Sequence, residues 1–172
     1  MKNTILEIEK RLYQNQIRGI RKICLFLDFD GVINTFLQEG SQRYIISQQS
    51  PEQFEFCDSS CINNLNVLCE KRDIDIVISS TWRFSGLDFC KEYLKNHGFQ
   101  YTNRVVGTTQ MDWHDSREQE ILNYMAAHPI YRSFVVLDDM KILSFKKYLV
   151  ETNSYFGFDQ QSLQVALRIT DI

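Results

Sequence analysis

The 172-residue sequence predicts an α/β three-layer sandwich, a mostly parallel five-stranded sheet with helices on both faces. A continuous apolar run of strand length at 22–28 has the pattern of a strand buried on both faces, and similar short runs recur at 74–79, around 101–106, at 133–138 and at 148–152. Helical patterns fill most of the intervals, and parallel neighbours need a crossover that is usually helical. A hydrophobic content of 44% with only 7 Gly and 2 Pro supports one core and leaves little linker material. A core of this size buries roughly 68–70% of the unfolded chain's surface, so neither disulfides nor a structural metal is required.

Taken in order, Ile5, Ile8 and Leu12 recur at helical spacing, which predicts an amphipathic helix near 3–18 within an N-terminal segment, 1–21, packed on the core. A single domain then spans 22–172, beginning with the run Lys22–Asp28, which Asp-Phe-Asp-Gly interrupts. Residues 59–72 carry Ile62, Leu65, Leu68 and Cys69 on one face, and 86–97 carry Leu87, Cys90, Tyr93 and Leu94 before Gly98. Ser116-x-x-Gln119 is a capping-box pattern opening a helix with Ile121, Leu122 and Met125 that ends near Pro129. A last helix runs through Leu163, Ala166 and Leu167.

Composition excludes several classes. No apolar run reaches the ~18 residues of a membrane span, and Glu7, Glu9, Lys10 and Arg11 stand where a signal peptide needs apolar residues, so a cytoplasmic location is expected. Five cysteines without a C-x-x-C pair read as buried, reduced thiols. The formal charge of -3 argues against broad nonspecific nucleic-acid binding, although it leaves room for one local basic site. His97, His114 and His128 have no metal-ligand spacing.

In open sheets of this kind ligands sit outside the carboxyl ends of the strands. There the first strand ends in Asp28-Phe29-Asp30-Gly31, the second in Ser79-Ser80-Thr81 and the fourth in Asp138-Asp139. Asp28 and Asp30 point the same way while the backbone stays extended, and Gly31 permits the turn. Up to four carboxylates in a partly desolvated cleft repel unless protonated or bound to a cation, and an all-oxygen set suits magnesium (Mg2+) better than zinc. Such a site orients a phosphate dianion for attack by one carboxylate. Ser79 or Ser80 then offers a hydrogen bond to a phosphoryl oxygen. Arg117, at a predicted helix start, is the best-placed cation; Arg83 and Lys141 are the alternatives.

These residues resemble the haloacid dehalogenase (HAD) superfamily. Leu25-Phe-Leu-Asp-Phe-Asp-Gly-Val32 corresponds to its first motif, Ile76-Val-Ile-Ser79 to its second, Arg117 to its third and Phe134-Val-Val-Leu-Asp-Asp139 to its fourth. Ser-Ser-Thr-Trp82-Arg83 followed by Arg117-Glu-Gln-Glu-Ile121 is most similar to the HAD domains associated with RNA-repair proteins. The resemblance implies a Rossmann-like core and a phosphatase. In it Asp28 attacks phosphorus to give a phosphoaspartate, and Asp30 protonates the leaving alcohol and then activates water. It also implies magnesium held by Asp28, the Asp30 carbonyl and an acidic residue of the fourth motif, with Asp139 favoured and Asp138 in support. Arg117 replaces the commoner Lys of the third motif, and arginine can hold phosphate bidentately.

About 48 residues separate Asp30 from Ser79, and half belong to the Ile62 helix and the second strand. A capless or minimally capped enzyme follows, with a flap between Asn34 and Phe56 supplying specificity. The expected substrate is a phosphate monoester, either a small molecule or a macromolecule. A nucleic-acid end is one candidate, which the low pI and the lack of a basic run weaken. Rival readings fare less well. A phosphorelay receiver has its acceptor Asp on a middle strand after an acidic pair, whereas here the D-x-D comes first and the acidic pair last, and a D-x-D sugar transferase needs a larger acceptor region. A noncatalytic phosphate-binding or regulatory module with this fold is the remaining alternative.

Overall fold

The computed structural model describes residues 4–51, 56–110 and 114–171. Residues 52–55 of the expected flap, and residues 1–3 of the expected N-terminal segment, lie outside the described residues.

Five strands form one all-parallel sheet in the order β3-β2-β1-β4-β5, with β1 at Ile23–Leu27, β2 at Ile74–Ile78, β3 at Val105–Thr108, β4 at Ser133–Asp138 and β5 at Leu149–Glu151. Every residue of β1, β2 and β4 is buried, as their continuous apolar runs require. Alternate side chains of these strands face two separate cores. Leu25, Leu27, Ile76, Ile78 and Leu137 pack under α3 (Ser59–Lys71), α4 (Leu87–Asn96) and α6 (Gln160–Ile169). Cys24, Phe26, Val77, Phe134 and Val136 pack under α1 (Ile5–Ile17) and α5 (Arg117–Ala127). The architecture is the Rossmann-like three-layer sandwich the sequence predicts. All five cysteines are buried thiols, and no helix among the described residues is long and apolar enough to cross a membrane.

Two elements differ from expectation. The third strand starts at Val105 because Thr102–Arg104 form a 3₁₀ turn; there Arg104 Nη1 donates to the carbonyls of Cys69 and Arg72 at 2.7 and 2.8 Å, closing the end of α3. In the flap, Gln42–Gln49 form α2, whose side chains are buried only at Ser47, so no apolar stripe announces it. Its start is set by Ser41, which accepts from Tyr44 N–H at 3.1 Å.

The first helix is tied down by polar contacts as well as by Ile8 and Leu12. Thr4 and Glu7 cap it reciprocally. Arg11 donates to the carbonyls of Met125 and Ala126 at the end of α5, and Asn15 Nδ2 donates to Pro129 and Tyr131 carbonyls at 2.9 and 2.7 Å.

Candidate active site

Strand register assembles the site. Leu27 pairs with Ile78 on one side and Leu137 on the other, so the next residues, Ser79, Asp28 and Asp138, stand side by side at the carboxyl ends of β2, β1 and β4. The chain order reverses on either side of β1, the position at which open α/β sheets hold ligands. Asp28 is 6% exposed, and Ser79 and Asp138 are fully buried.

One carboxylate oxygen from each of Asp28, Asp138 and Asp139 lies within 4.8 Å of the other two. Asp138 is committed on both oxygens: Oδ1 accepts from Met140 N–H at 2.9 Å, and Oδ2 accepts from Arg117 Nη1 at 2.6 Å. The same Arg117 nitrogen is 3.5 Å from Asp28 Oδ2. Ser116 places this arginine by capping α5, accepting from Gln119 N–H at 3.2 Å. Burial raises Asp138 to about 6, with Arg117 opposing the rise and the Asp28 charge adding to it. Asp139 Oδ2 accepts from Ser154 Oγ at 2.8 Å, and its Oδ1 has no partner among the described residues.

Gly31 makes this packing possible. Its φ is +77°, and a Cβ there would lie 2.3 Å from Asp139 Oδ2. Gly31→Ala is expected to cost at least about 1 kcal/mol from the left-handed backbone alone, and to displace Asp139. Thermal melting in chelator should register the first effect, and a weakened stabilisation by an added divalent cation the second. An alanine variant with unchanged melting would overturn this role.

Asp30 is exposed and held by two donors, Trp82 Nε1 to Oδ2 at 2.9 Å and Asn34 Nδ2 to Oδ1 at 3.2 Å. Tyr93 Oη donates to Asn34 Oδ1 at 2.7 Å, extending the chain one residue outward. The Oγ of Ser79 is buried with no hydrogen-bond partner among the described residues, an arrangement that is costly unless something outside the chain completes it. Ser80 Oγ instead accepts from Trp82 N–H at 3.4 Å, capping the 3₁₀ turn Thr81–Ser85.

Arg83 lies beneath this edge, away from solvent. Its Nη1 donates to the Ser79 and Ser80 carbonyls at 2.6 and 3.0 Å, and its Nη2 donates to Glu120 Oε1 and Oε2 at 2.9 and 3.1 Å. Lys141 is exposed. The structure thus brings together Asp28, Ser79, Arg117, Asp138 and Asp139, sets Asp30 beside Trp82, and gives Ser80 and Arg83 bonds that shape the loop. Sequence reasoning missed Glu120, Asn34, Tyr93 and Ser154. Glu120 alone left a trace, as an acid next to Ile121 on the buried side of α5.

A family model for the HAD domain in Swiss Army Knife RNA repair proteins matches residues 24–163. The chain belongs to this HAD family. No curated protein and no solved structure matches it. Membership supports, at a general level, a phosphohydrolase with a phosphorylated substrate and a divalent metal, and the match begins at β1 and extends into α6. The donor set of this HAD domain fits a hard cation. The carboxylates are all-oxygen ligands, two of the three are buried, and their mutual repulsion is what a divalent ion relieves.

Proposed function

We propose that this HAD domain is a magnesium-dependent phosphomonoesterase that works through a phosphoaspartate on Asp28. The observation that carries the reading is the position of Asp28 between the orphaned Ser79 Oγ and the Arg117–Asp138–Asp139 group. Asp28, Asp139 and the Asp30 carbonyl would hold the metal, with Asp138 in support and itself fixed by Arg117. When bound, magnesium neutralises these carboxylates and the substrate's phosphate dianion.

The chain's own residues then account for the steps. Ser79 Oγ donates to a phosphoryl oxygen, and Arg117 stabilises the adjoining negative charge. A carboxylate oxygen of Asp28 attacks phosphorus while the ester bond breaks, and Asp30 delivers its proton to the departing oxygen. Asp30, now ionised and oriented by Trp82 and Asn34, takes a proton from water. That water attacks the phosphoaspartate, releasing inorganic phosphate and regenerating Asp28. Arg83 contributes by positioning, since it fixes the carbonyls of Ser79 and Ser80. The helix α1 is part of the same catalytic unit in this reading, because it braces α5 and the loop leading into β4.

The test is release of phosphate from an aryl phosphate by the purified chain, with magnesium, with chelator, and with Asp139→Ala. Release should require magnesium, and Asp139→Ala should raise the magnesium concentration needed by on the order of tenfold or more. Hydrolysis indifferent to chelator and to Asp139→Ala would refute the metal assignment. A chain that binds phosphate yet releases none from any ester would instead be a phosphate-binding module.

A further inference from the structure

Asp30 also lines a cavity of about 670 Å³ in which neither Asp28 nor the Asp138–Asp139 pair takes part. Its walls are largely aromatic: Phe36, Phe56, Trp82, Tyr93 and His97 line it together with Asp30, Asn34 and Thr35. The ring centroids of Trp82 and Tyr93 are 4.6 Å apart, and those of Tyr93 and His97 are 4.3 Å apart. Three rings therefore adjoin one another beside the indole N–H that is bonded to Asp30. Phe36 and Phe56 are 55% and 60% exposed at this cavity, large apolar surface with no role in the cores of the sheet. Among the described residues no Lys or Arg lines it, and Asp30 is the one carboxylate that does.

This inference rests on the assignment of Asp30 as the acid that protonates the leaving oxygen. Whatever departs must then start beside Asp30, and the cavity beside Asp30 is this aromatic one. Flat, polarisable walls beside a single described carboxylate favour a planar, neutral ring, and stacking on aromatic side chains is the general way proteins hold a nucleobase. The cavity, about 670 Å³, has room for a spacer between the ester oxygen and such a ring. A nucleoside has that spacer in its sugar; an aryl ester, with its ring on the ester oxygen, has none. A lining with no basic side chain among the described residues also suits one terminal nucleoside better than a length of polyanionic backbone. We propose that the cavity is the leaving-group subsite and takes a single nucleoside, its base stacked among Trp82, Tyr93, Phe36 and Phe56.

The experiment separates this subsite from turnover by using the Asp28→Asn chain with magnesium. Calorimetry would compare adenosine 3′- and 5′-monophosphate with ribose 5-phosphate and with phosphotyrosine. The better adenosine nucleotide should bind on the order of tenfold tighter than ribose 5-phosphate. Adding Phe36→Ala and Phe56→Ala should close most of that gap, with folding checked by circular dichroism. Equal affinities, no measurable nucleotide binding, a preference for phosphotyrosine, or a gap that survives both alanines would each overturn the subsite. The two readings fail separately: nucleotide binding without hydrolysis by the native chain refutes the phosphatase, while hydrolysis without base preference refutes the subsite.

Discussion

Asp28→Asn should lower phosphate release by at least about a thousandfold, the scale expected when the attacking group of a covalent mechanism is removed. The fold should not suffer. Asn keeps the shape and the oxygen that accepts from Phe29 N–H at 2.9 Å, and the substitution removes one negative charge from a group in which Asp28 already adds to the rise of Asp138. Without metal, the variant should therefore melt at the native temperature or slightly above it. Turnover within tenfold of native would eliminate Asp28 as nucleophile. Loss of activity together with a large fall in melting temperature would mean that the carboxylate is structural.

The second large effect concerns an ion pair that never meets the phosphate. Arg83 and Glu120 are buried, with side chains 7% and 6% exposed. Burial raises the Glu120 carboxyl above its ordinary value, with the Arg83 and Arg117 charges opposing, so desolvation outweighs pairing and the bridge is not a net source of stability. Breaking it is another matter, because an unpaired guanidinium would remain in the interior. Glu120→Ala is expected to cost about 3 kcal/mol, a fall of roughly 6–12 °C in melting temperature for a chain of this size. Activity should fall as well, because Arg83 holds the carbonyls of Ser79 and Ser80. Replacing both partners, Arg83→Met with Glu120→Leu, should recover most of the stability and little of the activity. A single variant as stable as native would show that water reaches Arg83.

The strands were legible where burial on both faces writes itself as an apolar run, unbroken in β1 and interrupted or bounded by single polar residues in β2 and β4. The start of β3 was not, because a side chain fixes it: Arg104 closes the end of α3 through carbonyls more than thirty residues away. Helix α2 lacked the signal altogether, since it buries almost nothing. In the candidate site, residues placed by strand ends could be anticipated, because parallel register brings Asp28, Ser79 and Asp138 level. Residues that act through side-chain reach could not. Trp82 bonds Asp30 across 52 positions, Tyr93 bonds Asn34 across 59, and Arg83 bonds Glu120 across 37; no periodicity encodes such pairs.

The strand order also governs when the parts can meet. β1 sits at the centre of the sheet, yet its neighbour β4 begins more than a hundred residues later, and the bonds of Arg11 and Asn15 span 114 to 116 positions. During synthesis, α1 and β1 emerge first and must wait for α5 and β4, so the central strand keeps one hydrogen-bonding side open until most of the chain exists. Contacts of such separation slow folding because loop closure precedes their reward. Asp28 and Asp138 come together only in that late event. The carboxylates that repel one another are thus united late, after β2 and α3 can pack on β1 and before β5 and α6 complete the sheet and its core.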